Sequence, residues 1–84
     1  MKEIYYIGID VGKFNHCAAV LSNLGEVKVK PFYFSNDIKG FKLLIETTKP
    51  YLTKDTLFGM EDTAHYADNL RMFLLGQHRH VAMI

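Results

Sequence analysis

The sequence holds a single cysteine, Cys17, so no disulfide can form within the chain. A reducing cytoplasm is the expected setting, and Cys17 reads as a small apolar strand residue. Long apolar runs are missing. None approaches the roughly 20 residues a membrane span requires, so no membrane association is expected. The opening MKEIYYIG lacks an apolar stretch with a small-residue cleavage site, so no secretory signal is expected. A strong excess of positive charge is missing too. Ten Lys and Arg stand against nine Asp and Glu, a net charge of +1, whereas nucleic-acid modules commonly show a basic surface. This weakens a nucleic-acid reading without removing it, because a partner domain can carry the positive surface. There is no linker, internal repeat or low-complexity segment.

What is present is an ordinary globular composition, 49% hydrophobic and 23% charged over 84 residues. A disordered segment would be poorer in apolar residues. The length suits one domain and not two. The chain stops inside an apolar strand, as expected of a piece of a longer polypeptide.

The pattern along the chain predicts the order β-β-β-α-β-α-β. EIYYIGID (3–10) is apolar on both faces, as in a strand covered on both sides. VGK follows as a tight turn, with Gly12 available for positive φ. FNHCAAVLS (14–22) is a second strand, and NLG (23–25) is a hairpin loop. In EVKVKPFYF (26–34), Val27 and Val29 alternate with charged residues, so one face is wet. Pro31 cannot donate to a ladder, which suits an edge strand or a bulge, and lysines there discourage aggregation. SNDIKGFKLLIETTK (35–49) is a helix capped by Ser35 or Asn36, with Ile38, Phe41, Leu44 and Ile45 on one stripe and Pro50 ending it. DTLFGME (55–61) is a short buried strand. TAHYADNLRMFLLG (63–76) is a second helix, capped by Asp62 or Thr63, with Ala67, Leu70, Phe73 and Leu74 inward and Gly76 at the C′ position. HRHVAMI (78–84) begins another strand. Helix-linked strands imply a parallel portion of the sheet.

Two acids end two strands. Asp10 closes the first and Glu61 the fourth. Ligands of open α/β sheets collect at strand carboxyl ends, so parallel neighbours would bring both acids to one rim. Strand parity places Gly8 with Asp10 and Gly59 with Glu61 on a common face. The glycines would leave space beneath the carboxylates, or admit a closely packed helix. Two close carboxylates repel and raise each other's pKa, and a divalent cation removes that penalty. Open oxygen ligands suit Mg²⁺ or Mn²⁺. The alternative is plain: Asp after a strand is a common turn residue, and Glu61 with Asp62 can serve the first turn of a helix.

The stretches YIGIDVGKFNH, GEVKVKPFYFSND with a following GF, and FGMEDTAHYADNL resemble the start of the DEDD-type insertion-sequence transposases, relatives of the Piv-type DNA invertases. The resemblance runs over the whole chain. It implies an α/β, ribonuclease H-like fold similar to the RuvC resolvase, of which residues 1–84 would be the N-terminal portion. It implies a DNA-cleaving and rejoining enzyme with a four-acid divalent-metal site, Mg²⁺ or Mn²⁺. Asp10 matches the first Asp and Glu61 the Glu. The two later aspartates, and the serine nucleophile of a further domain, would lie beyond Ile84, so the fragment alone is expected to be inactive. The resemblance also implies DNA as partner, a structured guide RNA, and a homo-oligomer for the full protein. Two positions depart from the family's pattern: Asp62 replaces its usual Ala, and Ala64 its usual Gly.

Other residues carry weaker signals. Lys13 could meet a phosphate or be a solvated turn lysine. His65 and Tyr66 match a family His-Tyr pair at the predicted helix start, where backbone N–H groups favour anions; His65 could equally be a capping or packing residue. His16, His78 and His80 form no metal-ligand spacing. Tyr5, Tyr6, Tyr33 and Phe34 read as core rather than base-stacking platforms. Two rival functions stand beside the transposase. GIDVGK also resembles the first phosphate loop of actin-like ATPases and sugar kinases, although Lys13 and Phe14 stand where that loop usually has a small hydroxyl residue. A non-catalytic ribonuclease H-like remnant is the other.

Overall fold

The computed structural model describes residues 2–61 and 64–84. The elements are β1 (Tyr5–Asp10), β2 (Asn15–Ser22), β3 (Val27–Ser35), α1 (Ile38–Thr48), a 3₁₀ turn (Lys49–Tyr51), β4 (Leu57–Met60), α2 (Asp68–Gly76) and β5 (His80–Met83). They form a mixed α/β domain with one five-stranded sheet, in the order β3-β2-β1-β4-β5. β1, β2 and β3 form an antiparallel meander, and β4 and β5 run parallel to β1.

β3 is an edge strand, as its lysines and proline predict. Its register slips so that Ala18 faces Phe32 while Val20 faces Val29. Lys30 and Pro31 therefore oppose Ala19 alone, and the proline sits in a bulge where no ladder donor is required.

Alternation then decides which residues are buried. Ile7 and Ile9, Ala18 and Val20, Phe34, and Phe58 and Met60 all point to one face. Phe41 and Leu44 of α1, Ala67 just before α2, and Leu70 and Leu74 of α2 close over them to complete the core. Among the described residues, no helix lies on the other face of the sheet. There β1 presents Tyr6, Gly8 and Asp10, β2 presents Cys17 and Ala19, and β4 presents Gly59. The expectation that β1 is covered on both sides is therefore overturned. Its second face is small and half-buried rather than enclosed, and a small residue is indistinguishable by composition from a buried one.

Helix limits also shift. Asp37, not Ser35 or Asn36, caps α1. Its carboxylate accepts from the Gly40 amide at 2.8 Å and from the Ser35 hydroxyl at 2.7 Å, and these bonds hold its carboxyl below the usual carboxylate range. Ile38, expected inward, is 56% exposed, while Thr48 takes a buried place one turn beyond Leu44. α2 begins at Asp68 rather than 63. Ala64 and His65 precede it with φ of 63° and 62°, a left-handed pair that a helix cannot contain. The proposed caps Asp62 and Thr63 lie outside the described residues. At the far end, Gly76 is the last helical residue. The left-handed C′ position falls to His78, φ 59°, with His78 N–H donating to Leu75 O at 3.0 Å and Arg79 N–H to Leu74 O at 3.0 Å. That is the Schellman pattern, built on a histidine instead of a glycine.

Candidate functional site

The register of β1 and β4 sets the site. Gly8 faces Gly59, and Ile9 faces Met60. Asp10 is the last residue of β1, and Glu61 is the first beyond β4. The two acids thus leave adjacent parallel strands at the same level, strands that lie roughly 5 Å apart. Both are exposed, and both line one shallow cavity of about 420 Å³ on the open sheet face, with Tyr6, Gly8, Cys17 and Gly59.

Both glycines line this cavity, which is part of the space expected beneath the carboxylates, and the rest is filled by a side chain. The Tyr6 ring lies across both glycines. A Cβ at Gly8 would come 3.3 Å from the ring, and one at Gly59 would overlap the phenol hydroxyl. The glycines admit an aromatic ring from the same face, beside the cavity they line, and among the described residues no helix packs there. Tyr6 was legible as an apolar strand residue, but nothing in its spacing signals that it crosses to the next strand.

The carboxylates differ from their neighbours in what they touch. Glu3 accepts from the Tyr5 hydroxyl and pairs with Lys28, Glu26 also pairs with Lys28, and Asp55 pairs with Lys2. These contacts lower the pKa of Glu3 and of Asp55. Among the described residues, Asp10 and Glu61 have no ion pair and no hydrogen-bond partner for their carboxylates. Glu46 and Asp68 are also unpaired, but they stand alone on exposed helix surfaces. Asp10 and Glu61 are oxygen donors, side by side and open to water, which fits a hard divalent cation as two of its ligands. No third His, Cys, Asp or Glu among the described residues joins them.

The remaining sequence candidates are not among the residues that line the cavity. Lys13 is exposed in the β1–β2 turn, with its ammonium 5.2 Å from the centre of the Phe14 ring. His65 and Tyr66 are exposed in the turn ahead of α2 and not in its first turn, so the helix-start setting expected for them does not hold. Of the aromatics expected in the core, Phe34 is buried, Tyr5 and Tyr6 are half-buried, and Tyr33 is 75% exposed on the open face.

Two residues around the site were given no site role by the sequence, His16 standing there only as a strand histidine and Asn36 as a candidate cap. His16 is fully buried, between Phe34 and Phe41 with ring centres at 5.3 and 6.5 Å. Its Nδ1 accepts from the Gly12 amide at 3.2 Å, which pins the turn after Asp10. Gly12 is outside the left-handed region; it is needed because a Cβ would run into the Asn15 carbonyl. Asn36 donates through Nδ2 to the carbonyls of Lys13 (3.1 Å) and Tyr66 (3.3 Å).

Among the described residues, no helix is long and apolar enough to cross a membrane. Comparison with curated proteins gave no match. Among solved structures, a Ppx/GppA family member from Aquifex aeolicus aligns with TM-score 0.47 and 7% identity, over 99% of this chain and 35% of that one. A second Aquifex aeolicus PPX-GPPA enzyme structure aligns with TM-score 0.45 and 12% identity, over 99% and 36%. The chain spans about a third of the length of either. The family profile of DEDD transposases of the IS110 type, described as transposase, matches residues 7–84. That match covers Asp10, Glu61 and everything between them, and the chain belongs to this transposase family.

Proposed function

We propose that residues 1–84 are the N-terminal portion of a ribonuclease H-like, RuvC-like catalytic domain of a DNA transposase, with Asp10 and Glu61 as two of its four metal-holding acids. The observation that carries this reading is the register: Asp10 at the end of β1 and Glu61 just beyond β4 leave adjacent parallel strands at one level, with no ion pair among the described residues, at the rim of the open face. Family membership supports the reaction class, cleavage and rejoining of DNA.

The placement of the residues supports the following roles. Asp10 and Glu61 would hold Mg²⁺ or Mn²⁺ through carboxylate oxygens. Such an ion supplies Lewis-acid polarisation of a phosphodiester oxygen. Without a cation, the two carboxylates repel each other across neighbouring strands, which disfavours any arrangement that draws them together. The Lys13 ammonium, three residues beyond Asp10, lies within the same turn and would meet a DNA phosphate as a mobile point charge. His65 and Tyr66, exposed beyond Glu61, offer donors to the same backbone. The two later aspartates and the serine implied by the family complete the chemistry in the whole polypeptide, and the 84 residues alone are inactive. A guide RNA and a homo-oligomer belong to that whole protein.

The test is transposition by the full polypeptide in cells, scored as joined element ends. Asp10→Asn and Glu61→Gln are each expected to abolish joining while protein levels stay constant. Joining at the unaltered rate in either variant would overturn the assignment.

A further inference from the structure

Asn36 sits just ahead of α1, one residue before the helix cap. Because Asp37 satisfies the Gly40 amide, the Asn36 side chain is released from capping. It reaches instead to two distant places. Nδ2 donates to the carbonyl of Lys13, 23 residues earlier, at 3.1 Å, and to the carbonyl of Tyr66, 30 residues later, at 3.3 Å. Its own backbone N–H donates to Phe14 O at 2.8 Å. Both side-chain partners are carbonyl oxygens, so only the NH₂ end of the amide can face them. The Oδ1 end is then left buried with no partner among the described residues. A buried acceptor without a donor is costly, and an asparagine serving only as a surface turn residue would leave that oxygen in water.

The two carbonyls belong to the two segments that carry the acids. Lys13 follows Asp10 by three residues and Tyr66 follows Glu61 by five. Strand pairing fixes β1 against β4 only as far as Ile9 and Met60. Beyond that point Asp10 still pairs with Cys17 of β2, no ladder among the described residues joins it to Glu61, and the segment after Glu61 includes the left-handed pair Ala64 and His65. We infer that Asn36 is a positioning residue, whose side-chain amide ties the turn after Asp10 to the segment after Glu61 and so sets the relation of the two carboxylates. This rests on the reading of Asp10 and Glu61 as ligands of one divalent cation.

Two readouts test it, hydrogen exchange and Mn²⁺ titration by calorimetry, in the full polypeptide with and without Asn36→Ala. The amides of 11–14 and 64–67 are expected to exchange faster together in the variant, while β2 and β3 keep their protection. Mn²⁺ affinity is expected to fall roughly tenfold, the scale of losing a group that orients ligands. If Asn36→Ala does not fold, Asn36→Asp keeps the shape but sets a carboxylate against two carbonyls, and the same paired loosening and weaker binding are expected despite the added negative charge. Unchanged exchange in both segments overturns the tie. Faster exchange with unchanged Mn²⁺ affinity overturns the positioning role and leaves a structural one. Should the unaltered protein bind Mn²⁺ no better than Asp10→Asn, the metal reading fails, and positioning by Asn36 fails with it even where the tie itself is seen.

Discussion

The two faces of the sheet are built from the same strands and by opposite means. On the covered face every strand but β5 contributes a fully or nearly buried side chain, and Phe34, Phe41, Phe58, Leu44 and Leu70 mesh with almost no exposure. On the open face the corresponding positions are Gly8, Ala19 and Gly59, and one ring, Tyr6, lies over the glycines. The covered face supplies cohesion, since burying each large apolar side chain stabilises by about 1.5–3 kcal/mol. The open face supplies access. Its residues are small at Gly8, Ala19 and Gly59 and acidic where β1 and β4 end. The acids share a rim because the covered face holds β1 and β4 in register.

Substitutions should separate the faces. The largest effect is expected from Phe58→Ala, which removes a fully buried ring and should cost about 3–5 kcal/mol. That is enough to unfold a marginal domain, as followed by chemical denaturation. Its neighbour on the opposite face behaves differently. In Gly59→Ala the new methyl meets the Tyr6 ring, and the cost should be about 1–3 kcal/mol, the usual scale of overpacking. Removing the ring as well should recover much of it: the double variant with Tyr6→Ala is expected to be more stable than the sum of the single losses, a coupling of about 0.5–3 kcal/mol. Additive losses would mean that the ring does not occupy the glycine cleft.

Smaller effects are expected away from the sheet. His78→Gly places glycine in the left-handed C′ position and should stabilise by about 1 kcal/mol, the scale of strain for a side chain there. The last is a dependence on pH. The Asp37 carboxyl is held below its ordinary value of 3.8 by the Ser35 hydroxyl and the Gly40 amide. A depressed folded pKa means that the unfolded state binds more protons, so stability rises with pH through this range. The contribution is fully present above the unfolded pKa near 4 and is lost as pH falls through the lower folded value. Melting temperatures between pH 5 and 2.5 should therefore fall less steeply for Asp37→Asn, which keeps the cap without the titration.

These elements also divide what was legible in the sequence from what was not. The meander and its edge could be read, because Val27 and Val29 alternate with charge and Pro31 rules out a central strand. The shared level of Asp10 and Glu61 could be read from parity and parallel order, together with the glycine two residues before each. The empty second face could not, since Gly8, Ala19 and Gly59 look the same under a helix or under solvent. Helix limits failed where local rules were overridden. Ala64, His65 and His78 take left-handed conformations usually left to glycine, and Gly76 stays helical. Asn36 was legible only as a cap, because its partners lie 23 and 30 residues away and no local pattern encodes them.

The central claim is that Asp10 and Glu61 act as a pair on one cation. It is tested most directly by Mn²⁺ titration of the full polypeptide, the two single variants Asp10→Asn and Glu61→Gln, and the double variant. A shared ion predicts that each single change weakens binding by at least the roughly tenfold seen when even an orienting group is lost. It also predicts that the double variant binds scarcely more weakly than either single one. Unchanged affinity in the single variants, or two independent and fully additive losses, would contradict a shared site.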